Sequence, residues 1–274
     1  MFTINPFAEL AGLVSPLAMQ LYVIAMVILV VGGTLLDTLH KKSARYFFEN
    51  TEKQKKSAKR QVSGGEKVVI AAKTLAVDVL ASGEFCNQRR RVAHLLGMYG
   101  FVLFVVTTAI LIFGYAESAA PAILPLLWHV GALMVCVGGY WFWFFIRVDV
   151  SAEGHPWYRV VRADLFILAL LATTTFALLW SVFGATFFFV LFIAAATVLF
   201  GTVLWSKFAH MFFKPAAAFH KRVTKADGSR ENLPVIPDLT DPAVHQRYPD
   251  IPEYLGMNPP NMGLGIKREA PRHY

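Results

Sequence analysis

Cysteine is scarce in this sequence, and its scarcity excludes several redox cofactors. The chain has two cysteines, Cys86 and Cys136, in 274 residues. Neither lies in a C-x-x-C, C-x-x-C-H or ferredoxin-type spacing, which are the patterns that hold iron–sulfur clusters and c-type haem. We therefore predict that the chain carries neither group by itself, and that it has no disulfide framework.

Charge is also sparse, and the shortage indicates a membrane protein. Charged residues make up 16% of the chain and hydrophobic residues 56%, and the mean hydropathy is +0.50. Soluble domains are typically about 25% charged. The apolar residues form long runs rather than short periodic blocks. Phosphate-loop and G-x-S-x-G motifs are missing from the sequence, so neither a nucleotide-binding protein nor a serine hydrolase is indicated.

Five segments are long and apolar enough to cross a bilayer, whose hydrocarbon core of about 30 Å takes about 20 helical residues. The first is predicted to be a retained helix, because no basic region of a signal peptide precedes it. The turn near Gly184 divides the last two segments into a tight hairpin. We predict an all-α bundle of five transmembrane helices over residues 16–39, 92–115, 123–146, 165–183 and 185–206.

The basic residues predict the orientation of this bundle. All 26 lysines and arginines lie in residues 41–91, 147–162 or 207–274. Such residues stay on the cytoplasmic side, so we predict a multi-pass protein of the cytoplasmic (inner) membrane with its N-terminus outside and its C-terminus in the cytoplasm. The net charge is +8, and most of this positive charge is predicted to be topogenic, although it could also meet anionic lipid or an acidic soluble partner. Nucleic acid is not a predicted partner.

The predicted membrane domain covers residues 1–215. Two soluble segments are predicted, the basic loop between the first two spans and the tail after the domain. In the basic loop 41–91, the amphipathic run 68–80 is predicted to lie in the membrane interface. Pro215 is predicted to end the fifth helix. Residues 216–274 are predicted to be an extended, partner-docking tail, because proline is dense there and cannot continue a helix.

Histidines inside or near the spans are the main candidates for chemistry. His94 and His210 are predicted to lie at similar depth near the cytoplasmic face, on helices two and five, where a pair of imidazoles could ligate the iron of a b-type haem. Gly97, one turn after His94, would leave room for the haem plane, although small residues also permit close helix packing without a cofactor.

Charged and polar neighbours could assist a haem or a quinone. Lys207 and Lys214 lie one turn on either side of His210 and could contact propionates or a quinone head group, or they could be interfacial lysines. His155, beside Glu153, could transfer protons to a quinone or be a surface histidine.

The remaining span-end histidines are predicted to have structural roles. His129 is predicted to anchor the outer interface, and His40 to lie at the end of the first helix. His220 could be a ligand only if the chain folds back. The centres of the spans lack charged residues and show no repeat symmetry, which disfavours a transporter.

Three stretches of the sequence resemble a known family. They are AVDVL (residues 76–80), NQRRRVAHLLGMYGF (residues 87–101) and SKFAHMFFKP (residues 206–215). Together with the five-helix topology, they are similar to the nitrate reductase gamma-like membrane subunits, which include the haem b subunits of heterodisulfide reductase and of the Qmo and Dsr complexes. The basic loop and the proline-rich tail most resemble the members of this family that anchor adenylylsulfate reductase.

The resemblance implies electron exchange between the quinone pool and a cytoplasmic subunit that carries flavin and iron–sulfur clusters. It implies one b haem with His94 and His210 as axial ligands, because each helix here has a single ligating histidine where the nitrate reductase type has two for two stacked haems. The alternative is a haem-free structural anchor that tethers a soluble enzyme to the membrane.

Overall fold

The computed structural model describes residues 2–40, 43–83, 85, 87–151, 153–206, 208, 210–229, 238, 240–249, 261–262 and 266–267. The α-helices over these residues are α1 (Pro6–Glu9), α2 (Pro16–His40), α3 (Ser43–Ser57), α4 (Gly64–Lys73), α5 (Gln88–Gly114), α6 (Ile123–Trp141), α7 (Val148–Ser151), α8 (Leu165–Phe183), α9 (Thr186–Gly201), α10 (His210–Ala226) and α11 (Pro242–Arg247). Short 3₁₀ turns cover Leu10–Gly12 and Arg162–Asp164, and π-helical segments continue α4 over Thr74–Leu80 and α6 over Phe142–Ile146. The only other regular structure in this part of the chain is a two-stranded antiparallel ladder, β1 (Asn261–Met262) with β2 (Ile266–Lys267).

Four helices of the described residues could cross a membrane by their length and composition. They are α2, α5, α6 with its π-helical continuation, and α8. The fifth predicted span corresponds to α9, whose 16 residues rise about 24 Å, less than a hydrocarbon core of about 30 Å. The structure thus provides membrane-length helices for four of the five predicted spans.

The outer surface of these helices is apolar. Leu17, Leu21, Ile28 and Leu35 follow one another along α2 and are all exposed. Large aliphatic side chains in such number would be costly in water, whereas hydrocarbon chains accept them. The helices therefore present a surface suited to membrane lipid.

Helices α5 and α6 pack closely because glycines remove side chains from their interface. A Cβ atom on Gly131 would lie 2.7 Å from the backbone nitrogen of Phe104, and one on Gly100 would lie 2.8 Å from the Gly131 carbonyl oxygen. Small residues permit such backbone contact between membrane helices. The two helices are therefore in direct backbone contact.

Aromatic residues fill the core at the end of the bundle that includes α1. Trp128 is fully buried, and its ring lies 5.2 Å from that of Phe104 and 5.8 Å from that of Phe7. The Asn5 side-chain amide donates a hydrogen bond to the Tyr115 carbonyl oxygen at 2.8 Å. Helix α1 therefore closes this end of the bundle.

The predicted hairpin at Gly184 is confirmed. Helix α8 ends at Phe183, Gly184 adopts φ 64°, and α9 begins at Thr186. This left-handed conformation suits glycine because it has no Cβ atom.

The connection after α9 differs from prediction. The chain turns over residues 202–206, and His210 is the first residue of the separate helix α10 rather than the end of helix five. Pro215 was predicted to end a helix and instead lies inside α10. Pro215 is the sixth residue of α10 and lies beyond its first turn, so its missing N–H costs the helix one internal hydrogen bond.

The extended-tail prediction is wrong for two segments of residues 216–274. Helix α10 crosses the predicted boundary at residue 215 and continues to Ala226. Helix α11 begins with Pro242, and the Asp241 side chain accepts a hydrogen bond from the Ala243 N–H at 2.9 Å. Proline is compatible with the first position of a helix. Most of the remaining tail lies outside the described residues.

Candidate functional site

His94 lies on the second turn of α5 and is half-buried. The helix starts there because the Asn87 side chain caps it, accepting hydrogen bonds from the backbone N–H groups of Arg89 at 3.0 Å and Arg90 at 3.2 Å. Asparagine is a favoured N-cap residue. The cap fixes the start of α5 and with it the position of His94.

Ser82 holds the His94 imidazole, with its Oγ atom 2.9 Å from Nδ1. Ser82 is buried and is the one non-glycine residue of the described chain with a positive φ, 48°. The neighbouring Gly83 does not have a positive φ. Glycine is required there for close packing, because a Cβ atom would lie 2.8 Å from Val77 Cγ1. Backbone strain of the kind at Ser82 is concentrated at functional sites.

Two side chains of α5 fix this turn. The Tyr99 hydroxyl donates a hydrogen bond to the Leu80 carbonyl oxygen at 2.7 Å, and Arg91 Nε donates to the Ala81 carbonyl oxygen at 2.7 Å. Both acceptors belong to the end of the π-helical segment, whose last carbonyls have no partner in their own helix. The backbone immediately before Ser82 is therefore tied to α5.

Gly97 has open space on the side where a Cβ atom would point, with no described heavy atom within 4 Å of that position. Its backbone nitrogen lies 3.2 Å from where a Cβ atom of Gly138 would be. The same residue therefore leaves room beside α5 and permits close packing with α6, so both predicted roles of Gly97 are compatible with the structure.

The start of α10 approaches His94 through Phe85. The Phe85 ring lies 4.8 Å from the His94 ring, and Lys214 Nζ lies 5.3 Å from the Phe85 ring centre. His210 is one turn before Lys214 on α10, and its ring contacts Phe166 at 5.6 Å. Side chains from the starts of α5 and α10 therefore converge on Phe85.

Residue types that a b haem needs are present here. The group needs two axial ligands, room for the macrocycle and cations near its propionates, and His94, His210, Gly97 and Lys214 are of these kinds. A ligating histidine commonly has its other ring nitrogen in a hydrogen bond, as Ser82 provides for His94.

The other predicted candidates that the structure describes do not join this site. Lys207 lies outside the described residues. His155 is exposed in the loop after α7, with Nε2 3.7 Å from Glu153 Oε2. His220 lies on α10 and contacts Thr51 of α3 at 3.1 Å. No group of three or more His, Cys, Asp or Glu side chains with metal-binding geometry occurs among the described residues.

His129 is not an interfacial anchor, contrary to prediction. It is buried, with Nδ1 2.6 Å from the Pro125 carbonyl oxygen and Nε2 2.6 Å from Ser181 Oγ. The Phe2 ring covers it at 5.0 Å. It links α6 to α8. His40, as predicted, is the last residue of α2.

Sequence reasoning missed a buried arginine where α6 ends and α8 begins, at the end of these helices opposite His129. Arg147 Nη1 donates to Asp164 Oδ2 at 2.7 Å, and Nη2 donates to the Arg159 carbonyl oxygen at 2.7 Å. The guanidinium lies 3.9 Å from the centre of the Trp143 ring. These contacts hold the loop between α7 and α8.

An ion pair joins α10 to the π-helical segment after α4. The Arg222 guanidinium makes two hydrogen bonds to the Asp78 carboxylate. These hydrogen bonds to Arg222, and its positive charge, hold the pKa of Asp78 below its usual value. Sequence reasoning also missed Ser82 and Phe85, for which the only signal was the Ser-Gly turn before helix two.

Comparison of the chain with protein-family models, curated proteins and solved structures finds no match.

Proposed function

We propose that this chain is a membrane anchor and electron-transfer subunit, which connects a cytoplasmic flavin and iron–sulfur oxidoreductase to the quinone pool. The observation that carries the proposal is the convergence of α5 and α10 on Phe85, which contacts both His94 and Lys214. Cofactor sites in helical bundles are built in this way, from side chains on facing helices.

The proposed topology has five crossings of the inner membrane, with the N-terminus outside. Helix α9 would complete the fifth crossing together with the turn residues 202–206. His94, His210 and the basic segments would then lie on the cytoplasmic side, as the distribution of lysine and arginine predicts.

One b haem would be held at this site by His94 and His210, with Lys214 near its propionates. When bound, the group supplies one-electron transfer between quinone and the soluble partner. Ser82 orients the His94 ring, and Phe85 and Phe166 exclude water beside the two imidazoles. The positive charge of Lys214 favours an anionic group here.

The proposed soluble partner is adenylylsulfate reductase, which interconverts adenylylsulfate with sulfite and AMP. The chain has no cysteine pattern for clusters of its own, so the partner must supply them. His155 and Lys207 are the proposed quinone contacts, because both are polar and close in sequence to the cytoplasmic ends of the spans.

A haem-free anchor is the second candidate function, and one observation favours it. Phe208 is 3% exposed and packs against Phe166 at 5.6 Å and Phe101 at 6.3 Å. Aromatic side chains thus already fill the space between α5, α8 and the start of α10. In this case the chain would only hold the partner at the membrane.

Reconstitution tests the proposed function. The full chain, the purified reductase and a quinone are combined in liposomes, and sulfite- and AMP-dependent reduction of the quinone is followed. We expect the reaction to need the chain and to be lost in His94→Ala, while the matched control His40→Ala retains it. Equal rates with and without the chain would refute electron transfer. Tight binding of the reductase without quinone reduction would favour the haem-free anchor.

A further inference from the structure

Helices from two distant parts of the sequence form one unit outside the membrane bundle. This helical arm consists of α3, α4 with its π-helical continuation, and α10 (residues 43–80 and 210–229). Arg222 binds Asp78, and His220 contacts Thr51. The chain runs away from the bundle in α3, back towards it through α4 and its π-helical continuation, and away from it again in α10.

At the far end of the arm, hydrogen bonds join the residues after α3 to the end of α10. The backbone N–H groups of Lys59 and Arg60 donate to the Asp227 carbonyl oxygen at 2.8 and 3.2 Å, and Arg60 Nε donates to the Ala226 carbonyl oxygen at 2.6 Å. Thr224 and Asp227 are buried there. We call this end, residues 53–67 and 221–229, the basic tip.

The acidic groups of the basic tip are neutralised within it. Glu66 makes two hydrogen bonds to Arg60 within the tip, and Glu52, which just precedes the tip, is exposed and pairs with Lys55. The Asp227 carboxylate is buried and accepts from the Ser229 N–H at 2.8 Å. Both carboxylates of the tip, Glu66 and Asp227, therefore have hydrogen-bond donors within it.

Positive charge remains on the surface of the basic tip. Six of its lysines are exposed, and in the described part of the chain none of the six takes part in an ion pair: Lys53, Lys56, Lys59, Lys67, Lys221 and Lys225. Beside Lys67, Val68 and Val69 are both well exposed. An apolar centre with a charged rim is the usual anatomy of a protein–protein interface.

We propose that the basic tip is the docking surface for an acidic face of the cytoplasmic oxidoreductase, an inference that rests on the proposed function. Complementary charge directs association and fixes orientation. The ordered junction presents the lysines at fixed positions, so that binding costs little loss of backbone freedom.

A protein rather than lipid is the proposed occupant, with the arm directed away from the membrane. Lys214 marks the base of the arm, and Ala226 lies 12 residues later on the same helix, about 18 Å along its axis. The head-group layer of a bilayer is about 5–8 Å thick on each side. Residue 230 follows this junction directly, so the C-terminal segment starts where the partner would bind.

The test measures binding of the purified reductase to the full chain in phosphatidylcholine nanodiscs. We expect Lys56→Glu/Lys59→Glu/Lys225→Glu to weaken binding at least about tenfold. The control Lys73→Glu/Arg89→Glu/Arg162→Glu changes the net charge equally at exposed sites away from the tip and should retain the wild-type affinity. Unchanged thermal unfolding midpoints establish that both variants fold.

Each other outcome overturns the inference. Equal binding by the two triple variants would place docking elsewhere and leave the proposed function standing, whereas absence of binding by the wild type would refute both. Lipid is tested with Lys56→Cys in a chain whose two native cysteines are serine. If a membrane-impermeant maleimide labels the introduced thiol much more slowly when phosphatidylglycerol replaces phosphatidylcholine, the tip binds lipid.

Discussion

Replacing Asp164 by asparagine should destabilise the folded chain by about 3 kcal/mol, since it leaves the Arg147 guanidinium buried without its counter-charge. The two side chains are only 4% and 13% exposed, and their closest atoms are 2.7 Å apart. Removal of one partner from a buried ion pair typically costs about 3–5 kcal/mol. The remaining contacts of Arg147 with the Trp157 and Arg159 carbonyl oxygens put the expected value at the low end.

An exposed ion pair of the same chain provides the matched control. Lys55 and Glu52 are 64% and 67% exposed, and such pairs contribute about 0–1 kcal/mol. Glu52→Gln should therefore change the stability little. The comparison separates burial from charge, because each variant replaces one carboxylate by an amide of nearly the same shape.

Reversible unfolding in mixed detergent micelles measures both variants, with tryptophan fluorescence and helical circular dichroism as signals. Arg147→Met/Asp164→Asn should recover much of the loss, because it removes both charges together. Equal stability of Asp164→Asn and Glu52→Gln would refute the reasoning. A double variant that loses as much stability as Arg147→Met and Asp164→Asn lose together would also refute it.

Two further predictions concern packing and pH. Gly131→Ala should destabilise the α5–α6 pair by about 1–3 kcal/mol, because its Cβ atom would lie 2.7 Å from the Phe104 backbone nitrogen. The control is Gly32→Ala, whose Cβ atom meets nothing within 4 Å. In the same detergent assay this control should unfold no more easily than the wild type. The pair between Asp78 and Arg222 lowers the pKa of Asp78 from its usual 3.8, so its contribution is complete above that pH and is lost as the pH falls through the lower folded-state pKa. Pepsin cleavage of the arm should therefore rise steeply at low pH in the wild type but already be fast near pH 4 in Asp78→Asn, and identical pH profiles would contradict this role.

The membrane part of the fold could be read from the sequence because hydrophobic runs and length carry the signal directly. Helices α2, α5, α6 and α8 occur where the apolar runs predict them. Gly184 ends α8 as its position between two runs indicates. These features depend on local residue types and on bilayer thickness, and both are visible without tertiary contacts.

The site itself was predictable only in part. His94 was found because a histidine near the start of an apolar span is unusual. Its partner Ser82 was missed, because neither its left-handed conformation nor its contact with His94, 12 residues later, leaves a local pattern in the sequence. Helix α10 continues past Pro215 because tertiary contacts such as that of Arg222 outweigh local helix propensity.

The burial of His129 was missed for a similar reason. Its position beside Trp128 is typical of an interfacial residue, but the N-terminal segment folds over it and places Phe2 on its ring. The hydrogen bond with Ser181 connects residues 52 positions apart in the chain. Neither contact leaves a local pattern in the sequence.

The central claim is that His94 and His210 ligate one b haem, and a reduced-minus-oxidised absorbance spectrum of the purified full chain tests it most directly. The account predicts the bands of a b-type haem that dithionite reduces, their loss in His94→Ala and in His210→Ala, and their retention in His40→Ala. A haem-free chain that transfers electrons from the reductase to quinone at the full rate would contradict it.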